Sequence, residues 1–195
     1  MPQATPVMAG AEPFDLAGGG VGVLLCHGFT STPQSMRDWG EHLAAAGLTV
    51  RCPLLPGHGT RWQDANASTE DDWYGELSAA LDDLRGRCTA VVVAGLSMGG
   101  TLATRLAEVR PDDVAGLLLV NPALGAVDPL ARFAGVLKYL VPATPSIGND
   151  IAKEGVDEGA YDMTPVAGVH ELHKLWADVR SCLDLVTCPI ALFRS

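Results

Sequence analysis

Ser97 stands at the centre of the hexapeptide GLSMGG, residues 95–100, which has the GxSxG pattern of a nucleophilic serine. An apolar run precedes this hexapeptide, and a segment with helical spacing begins near Met98. A serine on a sharp turn between a strand and a helix is exposed at the sheet edge, and the flanking glycines let neighbouring segments approach closely. The sequence therefore predicts acyl transfer with Ser97 as the nucleophile. The competing interpretation is a glycine-rich turn that serves packing alone.

A second motif, the pentapeptide CHGFT at residues 26–30, follows another apolar run. Acyl transfer needs two backbone N–H groups that point at one oxyanion, and the residue after the nucleophile, Met98, supplies one of them. We predict that Phe29 supplies the other, with Gly28 leaving the approach to the serine open. The alternative is an ordinary glycine turn between a strand and a helix.

The five histidines of the chain are the next candidates for chemistry. His27 and His58 lie in glycine-containing loops, and His42 falls within a predicted helix, where we expect it at the surface. His170 and His173 are one helical turn apart, a spacing that suits a metal pair, but no cysteine or carboxylate cluster accompanies them. We therefore expect these two on a solvated helix face, and we predict no metal site there.

The composition limits the class of protein. The chain has 195 residues, 48% of them hydrophobic, and a net charge of −10 from 13 Lys and Arg against 23 Asp and Glu. This length suits one domain, and the acidic balance argues against nucleic acid or an anionic membrane as a partner. The longest apolar runs are far shorter than a membrane span, so we expect no membrane anchor. Five cysteines without a CxxC pair indicate small buried thiols in a reducing compartment, and thus a cytoplasmic location: Cys26, Cys52, Cys88, Cys182 and Cys188.

The elements that must position these motifs follow from the apolar patterning. Five runs have the composition of buried parallel strands: residues 21–26, 48–54, 89–96, 114–120 and 189–193. Three intervening segments have helical spacing: residues 33–46, 70–85 and 98–109. Strands that alternate with helices predict an α/β fold, with a mostly parallel sheet covered on both faces.

Residues 124–187 interrupt this alternation. A stretch of that length is too long for a connection, so we predict a core over residues 1–123, a helical lid insertion over 124–187 and a returning core strand over 188–195. The insertion contains a second helical segment, residues 169–185, and one apolar stripe: Leu130, Phe133, Leu137, Leu140 and Val141. An ordinary amphipathic helix packed on the sheet explains the stripe equally well. An apolar lid exposed to water would also allow a homodimer through the lid.

Taken together, the motifs resemble those of a known family. HGFT at residues 27–30, PGHG at 56–59, GLSMGG and the late Cys188-Pro189 strand are similar to α/β-hydrolases of the bacterial carboxylesterase and monoacylglycerol-lipase type. The resemblance implies the α/β-hydrolase fold with a short helical lid. It also implies a serine hydrolase that cleaves monoacylglycerols or simple fatty-acid esters through an acyl-enzyme, without metal or organic cofactor. Relatives that open epoxides use an aspartate nucleophile, which Ser97 argues against.

The resemblance also predicts where the rest of the catalytic triad lies. It assigns His27 and His58 to loop architecture, and it places the acid just after the strand at 189–193 and the histidine base further along. We therefore expect both beyond Ser195, and the 195 residues to be an inactive part of a longer enzyme. Two other functions stay open: a ligand-binding module without turnover, and an acyltransferase or perhydrolase that uses the same nucleophile.

Overall fold

The computed structural model describes residues 5–125, 133–146 and 161–194. These residues form two sheets. The strands are β1 (Phe14–Leu16), β2 (Val21–Cys26), β3 (Thr49–Cys52), β4 (Ala90–Leu96), β5 (Gly116–Val120), β6 (Ala143–Pro145), β7 (Met163–Pro165) and β8 (Ile190–Phe193). The central sheet has the order β1-β3-β2-β4-β5-β8, and every pairing in it is parallel except that of β1 with β3. This confirms the predicted α/β fold with a mostly parallel sheet.

Helices cover both faces of the central sheet. They are α1 (Arg37–Ala45), α2 (Trp62–Ala67), α3 (Glu70–Arg85), α4 (Met98–Val109), α5 (Ala134–Leu137) and α6 (Val166–Cys182). The larger apolar core joins one face of the sheet to α3, α4 and α6. The smaller core lies on the other face, where Met36, Trp39 and Leu43 pack against β2 and β3. Hydrophobic burial on both faces explains why the central strands are apolar along their whole length.

Helix α3 begins where the sequence predicts. The Thr69 hydroxyl accepts a hydrogen bond from the Asp72 amide at 3.2 Å, and the Asp72 carboxylate accepts one from the Thr69 amide at 2.8 Å. This reciprocal capping box satisfies two amides that the first turn of a helix leaves without partners. The three acidic side chains in the same turn also stabilise the helix, because they lie near the positive end of its dipole.

The register of the sheet brings the site loops to one edge. Cys26 of β2 pairs with Gly95 of β4, and Leu96 pairs with Val120 of β5. Val120 in turn pairs with Phe193 of β8. The carboxyl ends of these four parallel strands therefore lie side by side, and the loops that leave β2 and β4 start next to each other.

Between β5 and β8 the described chain forms α5, the hairpin of β6 and β7, and α6. Leu130, the first residue of the predicted apolar stripe, lies outside the described residues. In the described part of the stripe, α5 contains four α-helical residues. Helix α6 begins three residues before the predicted segment, and its buried side reaches the larger core through Leu172, Leu175 and Val179. It thus packs as an amphipathic helix. The division into core and lid stays a prediction.

Two further sequence expectations can be compared with the structure. Within the described ranges, no helix combines the length and the apolar composition that crossing a membrane requires. All five cysteines are unpaired, and Cys26, Cys52 and Cys88 are buried as predicted. The prediction of buried thiols is wrong for Cys182 and Cys188, which are half-buried because they lie at the end of α6 and just before the exposed strand β8.

Candidate active site

Ser97 sits on a strained turn between β4 and α4. Its backbone has φ 53° and ψ −116°, a conformation that costs a non-glycine residue about 1–3 kcal/mol. Hydrogen bonds hold the turn: the Ser97 amide donates to the Val120 carbonyl at 3.0 Å, and the Ser97 carbonyl accepts from the Ala123 amide at 3.1 Å. The chain after β5 therefore supports the turn directly. The half-buried serine is presented at the carboxyl edge of the sheet.

Two glycines allow this turn to form. A Cβ added at Gly95 would lie 2.2 Å from the Gly99 carbonyl oxygen. A Cβ added at Gly99 would lie 2.1 Å from the carbonyl oxygen of Cys26, at the end of β2. Both distances are far inside van der Waals contact with backbone atoms, so helix α4 can reach β2 and β4 only without these side chains. The prediction that the glycines permit a close approach is confirmed.

The two predicted oxyanion donors lie on either side of the serine. Met98 is the first residue of α4, where a helical amide has no partner within its own helix. Phe29 follows Gly28, and a Cβ built at Gly28 would lie 3.7 Å from Ser97 Cβ, so this loop borders the serine. Across the residues described, neither the Phe29 amide nor the Met98 amide donates to a protein acceptor. The oxyanion-hole role of these two amides stays a prediction.

The peptide group that contains the Phe29 amide is fixed by its neighbours. Its carbonyl belongs to Gly28, and this oxygen accepts from His27 Nδ1 at 3.0 Å and from the Ser31 amide at 3.3 Å. Since the carbonyl and the amide of one peptide share a plane, these two bonds also orient the Phe29 N–H. The next residue, Thr30, has φ 60°, and its hydroxyl donates to the Phe29 carbonyl at 2.7 Å.

His27 is excluded as a general base by its hydrogen bonds. While Nδ1 donates to Gly28, Nε2 accepts from the Leu55 amide at 3.2 Å, so both ring nitrogens are occupied. The side chain is fully buried, and burial, together with the neighbouring His58, lowers the pKa of His27 to about 3. The imidazole is a neutral structural group that links two loops of the sheet edge.

His58 belongs to an aromatic cluster beneath the same loop, made up of His27, Phe29, His58 and Trp73. Ring centroids in this cluster are 5.2 Å apart for His27 and His58 and 6.0 Å apart for Phe29 and Trp73. His58 Nδ1 donates to the Pro56 carbonyl at 3.1 Å, and burial lowers the pKa of His58 to about 4. Like His27, it has a structural role in the loop.

The remaining histidines do not supply a base or a metal site. His42 is exposed on α1, as predicted. His170 and His173 are half-buried because His170 lies against Gly135 of α5 and the His173 ring packs on Trp176 at 4.9 Å, so the prediction of a solvated face is wrong. In the part of the chain that the structure covers, no three metal-ligating side chains come together.

The acid and the base of a triad are not found beside Ser97. Among residues 5–125, 133–146 and 161–194, no histidine or carboxylate is hydrogen-bonded to the Ser97 hydroxyl. The acid and the histidine that the sequence analysis expects beyond Ser195 therefore stay a prediction.

Sequence reasoning missed the residues that attach the segment between β5 and β8 to the sheet edge. Asn66 of α2 accepts from the Ala167 amide at 2.9 Å and donates to the Pro142 carbonyl at 2.6 Å. The Tyr161 hydroxyl donates to the Gly57 carbonyl at 2.7 Å and accepts from the Thr60 amide at 3.1 Å. These contacts join residues that are 76 to 104 positions apart in the chain. No local pattern in the sequence predicts these contacts.

Comparison with known proteins agrees with the geometry of the site. Residues 23–191 match the model of the alpha/beta hydrolase family. A thermostable monoacylglycerol lipase from Bacillus sp. (strain H-257) is 43% identical over 201 residues, which cover 100% of this chain and 77% of the lipase. A carboxylesterase from Bacillus subtilis (strain 168) is 26% identical over 179 residues, covering 91% of this chain and 72% of the esterase.

Solved structures give the same result. One belongs to a report on two metagenome-derived lipolytic enzymes; it superposes with a TM-score of 0.93 at 40% identity, over 97% of this chain and 77% of that one. A monoacylglycerol lipase from Paleococcus ferrophilus superposes with a TM-score of 0.75 over 93% of this chain and 76% of its own. At 17% identity, this second similarity is evidence for the shared fold alone.

Proposed function

The chain belongs to the alpha/beta hydrolase family, and from this membership we propose that it hydrolyses carboxylic esters with Ser97 as the nucleophile. The main observation in favour is the strained turn at Ser97, flanked by the unpartnered amides of Phe29 and Met98. A monoacylglycerol lipase and a carboxylesterase among the relatives support monoacylglycerols or simple fatty-acid esters as the substrates.

The proposed mechanism is two-step acyl transfer. A histidine base takes the Ser97 proton while the hydroxyl oxygen attacks the ester carbonyl, and the carbonyl oxygen becomes an oxyanion. The amides of Phe29 and Met98 donate to that oxyanion until the alcohol leaves with the proton. Water then attacks the acyl-enzyme by the same route and releases the acid. Each oxyanion donor contributes on the order of 10²–10³ in turnover, so both amides must converge on one point.

The acid and the base of this mechanism are proposed to come from residues beyond Ser195. In support, the aligned region covers 77% of the lipase and 72% of the carboxylesterase, so both relatives contain residues that this chain does not match. His27 and His58 are unsuited to the task, since each is buried and keeps a lowered pKa.

We further propose that residues 124–187 act as a lid that contacts the acyl chain. In support, its described part presents apolar side chains to solvent: Phe133, Val136, Leu137, Tyr139, Leu140 and Val141. An exposed apolar surface of this kind marks an interaction site. We propose that the lid of a second copy of the chain covers it in a homodimer. The five unpaired cysteines favour a cytoplasmic location for the enzyme.

The proposal is tested by labelling with a fluorophosphonate, which reacts with activated serines. The experiment uses the gene product in full, with any residues that its gene encodes after Ser195. We expect one label, mapped by mass spectrometry to the peptide containing Ser97, and hydrolysis of monoacylglycerols and p-nitrophenyl esters. The variant Ser97→Ala is the matched control and should lose both.

Two results would overturn the proposal. A protein that binds a monoacylglycerol but is neither labelled nor able to hydrolyse it would be a binding module. A protein that is labelled at Ser97 but transfers the acyl group to an acceptor other than water, or forms a peracid from hydrogen peroxide, would be an acyltransferase or a perhydrolase.

A further inference from the structure

Helix α6 rests directly on the side chain of Phe29. The contact occurs at Gly168, which is buried in the first turn of the helix. A Cβ added at Gly168 would lie 2.8 Å from Phe29 Cζ and 3.0 Å from Phe29 Cε2. Distances this short require one of the two partners to move.

The Phe29 ring has little room to move away. Its centroid is 6.0 Å from those of both His58 and Trp73, and both rings meet it in edge contacts. These two rings are held in turn, because His58 Nδ1 and Trp73 Nε1 both donate to the Pro56 carbonyl, each at 3.1 Å. A phenyl ring that is pushed by a new methyl group must therefore pull on its own backbone.

The helix cannot easily retreat either. The Ala167 amide, one residue before Gly168, donates to Asn66 of α2 at 2.9 Å. The same added Cβ would also lie 3.3 Å from Pro165 Cγ, at the end of β7. The first turn of α6 is thus attached to the sheet edge at the level of the Phe29 ring.

We propose that Gly168 is a positioning residue for ester hydrolysis: by lacking a side chain, it sets the distance between α6 and the Phe29 ring and so keeps the Phe29 amide directed at the oxyanion. This inference rests on the proposed function. The ring and the amide belong to one residue, and the following residue, Thr30, has φ 60°, so a displaced ring is transmitted to a turn that is already strained. A misplacement of about 1 Å in such a site can cost about a hundredfold in rate.

The test is steady-state kinetics of Gly168→Ala in the full gene product, with a p-nitrophenyl ester as substrate. The rate is divided by the number of active sites, counted by fluorophosphonate titration, so that unfolded protein does not contribute. We expect kcat to fall about tenfold or more while KM changes less than about twofold, because an oxyanion donor acts only in the transition state.

Two variants separate positioning from general damage. Gly75→Ala is the matched control, since Gly75 also lies inside a helix but an added Cβ would meet no atom within 4 Å. Its kcat should equal that of the wild type. Phe29→Leu removes the atoms that an alanine at position 168 would strike, so in this background Gly168→Ala should lower kcat by less than about twofold. Thermal unfolding of the wild type, Gly168→Ala, Phe29→Leu and the double variant measures the steric coupling independently of activity.

The outcomes are distinct. A wild-type kcat in Gly168→Ala, or an equal loss with and without Phe29→Leu, overturns the inference and leaves the esterase proposal intact. Coupling in thermal stability without any change in kcat also overturns it, because the contact would then be structural only. A wild-type protein without esterase activity and without a label at Ser97 overturns the proposed function and this inference with it.

Discussion

At the scale of single residues, the site depends on backbone groups rather than on side-chain chemistry. The Ser97 turn is held by bonds to Val120 and Ala123, and the Phe29 amide is oriented through the carbonyl of Gly28. His27 connects the Phe29 loop to the chain after β3, since it donates to Gly28 and accepts from Leu55. It can do both only as a neutral imidazole with its proton on Nδ1, because a protonated ring has no acceptor nitrogen.

This requirement predicts how stability depends on pH. His27 and His58 have pKa values of about 3 and about 4 in the folded protein, below the ordinary value of about 6.5 expected after unfolding. Between the folded and the unfolded pKa values, the unfolded chain therefore binds more protons than the folded chain does. What the two neutral histidines contribute to the free energy of unfolding is complete above pH 6.5. It is lost as the pH falls toward 4, by about 1.4 kcal/mol per pH unit for each histidine.

Urea unfolding at several pH values between 6 and 4 measures this slope, and His58→Gln should reduce it by the share of one histidine. If that variant does not fold, the ring nitrogens of the wild-type protein can be followed by NMR. A resonance of His27 or His58 that titrates near pH 6.5 in the folded state would contradict the prediction.

At the scale of helices and strands, the segment between β5 and β8 is attached through α2. Asn66 uses both ends of its amide, accepting from Ala167 in the first turn of α6 and donating to Pro142 at the start of β6. It serves as a helix cap supplied from another part of the chain, where α6 has no side-chain cap of its own. The position of α6 over the site thus depends on a helix of only six residues.

Replacing Asn66 should therefore loosen this attachment. Asn66→Ala removes both bonds and should cost about 1–2 kcal/mol of stability, with faster hydrogen exchange at the Ala167 amide. Asn66→Asp keeps the acceptor for Ala167 and loses only the donor to Pro142, so it should protect the Ala167 amide better than alanine does. Exchange at Ala167 that is equal in the wild type and in Asn66→Ala would refute this role.

The elements differ in how well the sequence predicts them, for physical reasons. Strands β2 and β4 are buried on both faces, and helix α4 has an apolar stripe. Composition and periodicity are therefore sufficient to predict these three elements. Strand β1 has three residues and α2 has the polar sequence WQDANA, and neither is long enough for a periodic pattern. Their positions are determined by tertiary contacts. The same holds for Asn66 and Tyr161, whose partners are about a hundred residues away.

At the scale of the whole molecule, the described residues include two apolar surfaces that face solvent. One is the surface around Leu140 in the proposed lid, and Leu140 is 76% exposed. The other is strand β8, where Ile190, Leu192 and Phe193 are each more than half exposed and, among the described strands, only β5 is paired with it. An unpaired apolar edge is a template for association with another chain. The net charge of −10 opposes such association at low salt.

We expect the 195-residue chain to associate with increasing concentration, and more strongly when salt screens its charge. Analytical ultracentrifugation of two matched variants identifies the surface responsible. Leu140→Lys should abolish association through the lid, as the proposed homodimer requires, whereas Leu192→Lys should abolish association through the strand edge. A chain that stays monomeric at high concentration and high salt would contradict both modes.

The backbone contacts at Gly95 and Gly99 have a consequence for the evolution of new specificities. Because α4 meets β2 and β4 through main-chain atoms at these two glycines, no side chain at position 95 or 99 separates the Ser97 turn from the end of β2. Under the proposed function, libraries that vary the apolar residues of α5 and the neighbouring turn are expected to alter selectivity for the acyl group while the backbone contacts at Gly95 and Gly99 are kept. A laboratory selection on that segment would then change which acyl group is accepted and leave the Ser97 turn as it is.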